Sequence, residues 1–288
     1  MNFFMAALLG LFQGITEFLP ISSSGHLNLV QALFHLNLEH QLLFNILLHV
    51  GTLLPILVVF WRDWWDMIFH PIRNKTLLFL FIASLPALAA KVLFDDQLDY
   101  LETHNILLGV CFLLTGAFLL FAQKIALFRA KKKIPEKPLG IFQVISMGCM
   151  QAIGLLPGIS RSGSTIFGGV ASGLTREAAA KFSFMMSAPA IVAGLLSEGY
   201  SAMKTGDLFA SGDMPAILLG VAVAAISGYF SIRFMLRLIS KASLNWFALY
   251  VILLGIFVII LQITGVLTDA PAAEEAIAQG LSVWMPLA

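Results

Sequence analysis

Phe18-Leu-Pro-Ile-Ser-Ser-Ser-Gly-His26 and Leu156-Pro-Gly-Ile-Ser-Arg-Ser-Gly-Ser-Thr165 interrupt two otherwise apolar stretches, about 3–37 and 140–177. Proline and glycine break a helix and serine starts a new one, so neither stretch reads as one continuous membrane crossing. Around them the chain is strongly apolar. Of its 288 residues 59% are hydrophobic and 11% charged. A soluble domain carries about 25% charged residues, so these charges are too few to coat a water-facing surface. Crossing roughly 30 Å of hydrocarbon takes about 20 apolar residues. Six unbroken spans meet that length: 42–61, 76–94, 106–128, 178–199, 214–232 and 245–267. The first residues lack the basic region and cleavage site of a signal peptide, and no polar segment is long enough for a separate soluble domain.

Charge in the loops sets sidedness, because Lys and Arg in short loops stay inside. The 123–138 loop holds Lys124, Arg129, Lys131, Lys132, Lys133 and Lys137 against Glu136; 62–75 holds Arg62, Arg73 and Lys75; 233–241 holds Arg233, Arg237 and Lys241. The intervening loops are acidic, with Asp95, Asp96, Asp99 and Glu102, then Glu198, Asp207 and Asp213, then Asp269, Glu274 and Glu275 at the tail. Counting crossings from these loops, 140–177 begins and ends inside, and 3–37 begins and ends outside. Both must dip in and return. Non-helical backbone at membrane depth persists only where it is buried in protein or lines a wet cavity, so two such hairpins predict a cavity.

A shift of 138 residues superposes the halves. Gly10, Gln13, Ile15, Ile21, Ser22, Ser24 and Gly25 fall on Gly148, Gln151, Ile153, Ile159, Ser160, Ser162 and Gly163. The same shift carries each of the first three spans onto one of the last three, and the acidic 95–105 loop onto the basic 233–243. Three crossings per half place the second half upside down, the inverted plan that sets a site where broken helices meet near the midplane. The expected fold is an all-α polytopic membrane protein with six transmembrane helices and two re-entrant helix-turn-helix hairpins. It forms a single membrane domain over 1–288, with repeat halves 1–130 and 139–268 and an acidic tail 269–288.

Glu17 and Arg161 stand inside the broken stretches, where an unpartnered charge costs about 2.5–3.5 kcal/mol. Either they pair with each other for structure alone, or they line a cavity with opposite tasks. Each turn sets hydroxyls and a glycine before a helix restarts: Ser22, Ser23, Ser24 and Gly25 in one, Ser160, Ser162, Gly163, Ser164 and Thr165 in the other. Freed N–H groups at a helix start attract an anion, glycine permits close approach, and arginine offers a planar fork to phosphate. Alone, such turns are ordinary caps; two of them with an arginine, a glutamate and a histidine predict a phosphate site. Gly158 to Thr165 also matches a phosphate-loop spacing, but serine stands where lysine belongs and no strand precedes it, so a nucleotide-binding fold is rejected. His26 is either a helix cap or an acid–base or nucleophilic group. His35, His40, His49, His70 and His104 read as structural. Cys111 and Cys149 read as buried thiols without disulfide or metal roles, and Gly10-x-x-x-Gly14 and Gly169-x-x-x-Gly173 as packing faces.

Gln13-Gly-Ile-Thr-Glu17-Phe-Leu-Pro-Ile-Ser-Ser-Ser-Gly-His26 and Pro157-Gly-Ile-Ser-Arg161-Ser-Gly-Ser-Thr165 resemble the two signature motifs of the bacterial undecaprenyl-diphosphate phosphatase family, also called the bacitracin-resistance protein family. The likeness runs over nearly the whole chain, including Phe60-Trp61-Arg62-Asp63. The resemblance implies an inner-membrane enzyme, commonly a dimer, that removes the terminal phosphate of undecaprenyl diphosphate to renew the carrier lipid of cell-wall synthesis. It implies Ser23 as nucleophile, His26 as its helper or itself the attacking group, and Arg161 on the phosphate, with Ser160, Ser162 and Thr165 in support. It further implies a Mg²⁺ or Ca²⁺ ion near Glu17 and Gln13. Ser23 deprotonated by His26, at a site facing the periplasm, is the mechanism expected. The chief alternative is a transporter or flippase of an anionic polyprenyl lipid, a binding site without a nucleophile. A scaffold leaves the polar turns at membrane depth unexplained. The partners expected are the lipid substrate, the bilayer and a second copy, with no nucleic acid.

Overall fold

A computed structural model of the chain describes residues 3–34, 41–105, 107–205 and 214–267. His35, His40, Asp207, Asp213 and the acidic tail 269–288 lie outside these residues. The described residues form twelve helices and no strand: α1 (Phe3–Phe18), α2 (Ser23–Leu33), α3 (Gln41–Val59), α4 (Trp61–Phe69), α5 (Thr76–Leu93), α6 (Asp95–His104), α7 (Leu108–Lys132), α8 (Ile141–Ile153), α9 (Arg161–Ser172), α10 (Arg176–Thr205), α11 (Met214–Lys241) and α12 (Asn245–Ile263). The chain is an all-α polytopic membrane protein.

Five of these helices, α5, α7, α10, α11 and α12, are long and apolar enough to cross a membrane by themselves. A sixth crossing requires α3 to be counted with α4, which leaves it at a bend of 77°. The bend has a plain cause: Trp61, Arg62, Asp63, Trp65 and Asp66 mix aromatic and charged groups, and such a segment settles along the membrane surface rather than across it. The expected 62–75 loop is thus largely helix. Asp66 closes it, accepting from Arg73 at 2.7 Å and Asn74 at 2.6 Å. Those hydrogen bonds, Asn74 first, hold the Asp66 carboxyl below the usual carboxylate range. This closure is therefore complete above the usual carboxylate range and is lost only as pH falls below it, through the depressed value. The acidic 95–105 segment is likewise helical, α6, with Lys91 bridging Asp95 at 2.7 Å and Asp99 at 2.6 Å.

α1, at 16 residues, and α8, at 13, are too short to cross. Each reverses at its polar turn and hands on to α2 or α9. Small residues let these short helices sit deep. A Cβ on Gly10 would stand 2.2 Å from the Gly220 carbonyl oxygen, and one on Gly14 2.5 Å from that of Ala224, so α1 lies backbone to backbone on α11. α8 meets α5 in the same way, where a Cβ on Gly148 would stand 2.6 Å from the Ala83 oxygen. The other glycine pair divides its work: Gly169 packs on Ala179 of α10, whereas Gly173, at φ +116°, ends α9 in the left-handed conformation that favours glycine. Cys111 is buried as expected, but Cys149 is exposed on α8, a correction to its reading as a buried thiol.

The helix starts keep the 138-residue offset closely. α1, α2 and α5 begin at 3, 23 and 76, and α8, α9 and α11 at 141, 161 and 214. Packing interleaves the two sets: α1 rests on α11 and α8 on α5, while α3 meets α10 and α7 meets α12. The two turns are thereby brought face to face.

Candidate active site

Each turn is closed by its own serine. The Ser22 side chain accepts from Gly25 N at 3.2 Å, and its carbonyl from His26 N at 3.2 Å. Ser160 repeats the pattern with Gly163 N at 3.0 Å and Ser164 N at 2.8 Å. A helix leaves its first four N–H groups without partners in the helix. Once these two are satisfied, the amides of Ser23 and Ser24 on α2, and of Arg161 and Ser162 on α9, are the donors left for an anion. Ser24 and Ser162 each lie within 3.5 Å of the capping hydroxyl of their own turn. Ser22 holds φ +73°, a strained value for a residue with a side chain, and such strain gathers at functional sites.

The turns touch one another. Ser162 Oγ donates to the Leu19 carbonyl at 3.1 Å, and a Cβ on Gly25 would stand 3.0 Å from Gly158 Cα. Gly25 therefore serves the approach of the two hairpins as well as any ligand. From α7, Thr115 pins the second turn: its hydroxyl donates to Gly158 O at 3.2 Å and accepts from Ser160 N at 2.9 Å. Thr165 lies one turn into α9 and spends its hydroxyl on Arg161 O and Ser183 Oγ, which fits a supporting place.

Glu17 is the meeting point. Its side chain is 2% exposed. Arg161 donates to Oε1; Ser23 Oγ, at 2.7 Å, and Gln13 Nε2, at 3.0 Å, donate to Oε2. The ion pair that the sequence left open is formed, and a hydroxyl shares it. His49 of α3, read from the sequence as structural, brings Nε2 to 3.6 Å from the same Oε2. Ser23 and Ser24 are half-buried, and the Arg161 and His49 side chains keep about 20% of their surface open, which gives the pair a way out.

His26 occupies a different place from the one expected. Ser23 bonds to Glu17, and the His26 ring bonds to the Ser22 carbonyl through Nδ1 at 2.6 Å and to the Tyr250 hydroxyl through Nε2 at 2.8 Å. The Ser23 hydroxyl thus bonds to the Glu17 carboxylate and not to the His26 ring.

Residues 6–257 match the family model described as "Bacitracin resistance protein BacA". The chain belongs to the bacitracin-resistance protein BacA family. Relatives of this BacA-family chain bear the name undecaprenyl-diphosphatase. One from Carboxydothermus hydrogenoformans is 39% identical over 92% of this chain and 99% of the relative. One from Thermodesulfovibrio yellowstonii is 39% identical over 90% and 96%, and one from Methanosphaera stadtmanae 35% over 90% and 97%. In this BacA-family chain Gln13, Glu17, Ser23 and Arg161 form one connected set, with His26 beside it. Thr115, Tyr250 and His49 complete the surroundings, and sequence reading gave the first two no role. The only signal for them is a lone polar side chain within an apolar span.

Proposed function

We propose that this chain hydrolyses undecaprenyl diphosphate to undecaprenyl phosphate and inorganic phosphate, renewing the lipid carrier of peptidoglycan synthesis. The observation that carries the reading is the convergence of a hydroxyl, a carboxylate and a guanidinium (Ser23, Glu17 and Arg161) from two separate hairpins at membrane depth. Binding alone needs only the arginine and the turn amides. A serine hydroxyl held by a buried carboxylate is the arrangement of an activated nucleophile. The activity named for the relatives agrees with it.

The terminal phosphate rests on the amides at the starts of α2 and α9 and on Arg161. Five N–H donors let that guanidinium keep Glu17 and reach phosphate as well. Glu17 Oε2 takes the Ser23 proton as Oγ attacks the terminal phosphorus. The bond from phosphorus to the bridging oxygen breaks, and undecaprenyl phosphate leaves. Water then attacks the phosphoserine, Glu17 returns its proton to the departing Ser23 Oγ, and phosphate is released.

A Mg²⁺ or Ca²⁺ ion belongs to this reading. Gln13 Oε1 is buried without a hydrogen-bond partner, and with Glu17 it offers a hard cation the oxygen donors it prefers. When bound, the ion would neutralise charge on the diphosphate. The basic 62–75, 123–138 and 233–241 segments, set against acidic α6, support an inner-membrane chain whose site faces the periplasm. A homodimer is carried over from the resemblance.

The test is phosphate release from undecaprenyl diphosphate by the purified chain in detergent. Release is expected, lost with a chelator and restored by Mg²⁺ or Ca²⁺. No release, together with passage of polyprenyl phosphate across vesicles holding the chain, would favour the flippase instead.

A further inference from the structure

His26 is held by two hydrogen bonds, and one of them selects its tautomer. A carbonyl oxygen only accepts, so the bond of 2.6 Å to Ser22 O puts the ring proton on Nδ1. In the neutral ring Nε2 is then a lone pair, and the Tyr250 hydroxyl at 2.8 Å is its donor. The two rings lie nearly parallel, 12° apart with centroids separated by 5.7 Å. Phe112 closes the imidazole from the side, its centroid 5.5 Å away and its plane at 86°. The ring is buried, so Nε2 cannot trade the phenol for bulk water. Ser23 cannot replace it either, because its hydroxyl is held by Glu17. The buried residues of α12, Ala248, Val251, Gly255 and Val258, are apolar, and the polar contact this helix makes with the site comes from Tyr250.

We propose that Tyr250 is a positioning residue for His26. With the tautomer set at Nδ1 by Ser22 O, the Tyr250 hydroxyl donates to Nε2 and fixes the ring in place within the first turn of α2, the turn that carries Ser23. A partner that fixes a histidine ring through its second nitrogen acts on the reaction without touching substrate. The last helix of the second half thus orients a histidine of the first hairpin. This inference rests on the phosphatase reading above and adds to it a residue outside both motifs.

Tyr250→Phe keeps the stacked ring and removes only the hydroxyl, which separates orientation from packing. Nitrogen NMR of the full-length chain labelled at histidine, in bilayers, reads the tautomer directly, with His26→Gln used only to assign the signal. In the unaltered chain His26 should carry its proton on Nδ1, with Nε2 a hydrogen-bonded acceptor; in Tyr250→Phe the Nε2 signal should move. kcat should fall about tenfold to a hundredfold, the scale of a small misplacement of a reacting group such as Ser23 on the same turn, with KM unchanged. A proton found on Nε2 in the unaltered chain overturns the proposal. So does a Tyr250→Phe variant whose His26 signals and kcat both match the unaltered chain. If the unaltered chain releases no phosphate, the phosphatase reading falls while the tautomer measurement still decides whether Tyr250 orients His26.

Discussion

Glu17 holds three donors on two oxygens, and two of them differ in kind. Arg161 on Oε1 is a charge partner, whereas Ser23 on Oε2 is a neutral hydroxyl, the nucleophile of the proposed reaction. Arg161→Lys keeps the charge but replaces a planar fork by a point donor. Turnover should fall by about 10²-fold, the loss seen when one preorganised donor is removed; turnover near that of the unaltered chain would remove Arg161 from the reaction. Glu17→Gln preserves shape and still accepts from Arg161, yet it cannot take a proton. Phosphate release should drop about 10²- to 10⁴-fold, the usual worth of a general base, while binding of a non-hydrolysable diphosphate analogue persists. Both residues were legible in the sequence because a charge amid apolar residues demands a partner. His49 and Tyr250 were not. A single polar side chain in a span reads alike whether it faces a site, a neighbouring helix or a membrane surface.

The hairpins depend on support from helices remote in the chain. Thr115 holds two backbone groups of the second turn, Gly158 O and Ser160 N. Thr115→Val leaves both buried without that partner, and an unsatisfied buried group costs about 1–3 kcal/mol. The variant should melt earlier in detergent and lose activity together with the geometry of Arg161. Thr115→Ser, which restores the hydroxyl, should recover most of both. α1 has no room at Gly14, where a Cβ would stand 2.0 Å from Ser227 Oγ and 2.5 Å from Ala224 O. Gly14→Val should therefore push α1 from α11 and take Glu17 with it, costing at least the roughly 1–3 kcal/mol of an overpacked core. The measurement is thermal unfolding alongside turnover, and an unshifted melt would show that the two helices have room to part. Small-residue spacing announced a close contact here, but not which helix would make it.

Interleaving makes the two halves one object. α1 rests on α11 and α8 on α5, so neither 1–130 nor 139–268 buries its short broken helix by itself. A chain cut within the exposed stretch between α7 and α8 and expressed as one fragment should be degraded or aggregate. Both fragments expressed together should assemble and release phosphate. An isolated half that folds and stays monodisperse in detergent would contradict this packing.

Class follows from composition and order alone: apolar length forces helices across or into the bilayer, and proline and glycine break two of them. The 138-residue echo and the turns with Ser23, His26 and Arg161 belong to the same level, because backbone preference and capping are local. The partners of those side chains are not local. Glu17, rather than His26, holds the Ser23 hydroxyl, and Tyr250, 224 residues away, holds His26. Such pairings depend on which faces of separate helices meet and at what depth. That is set by close packing of glycine and alanine surfaces across the whole bundle, and no single stretch of chain contains it.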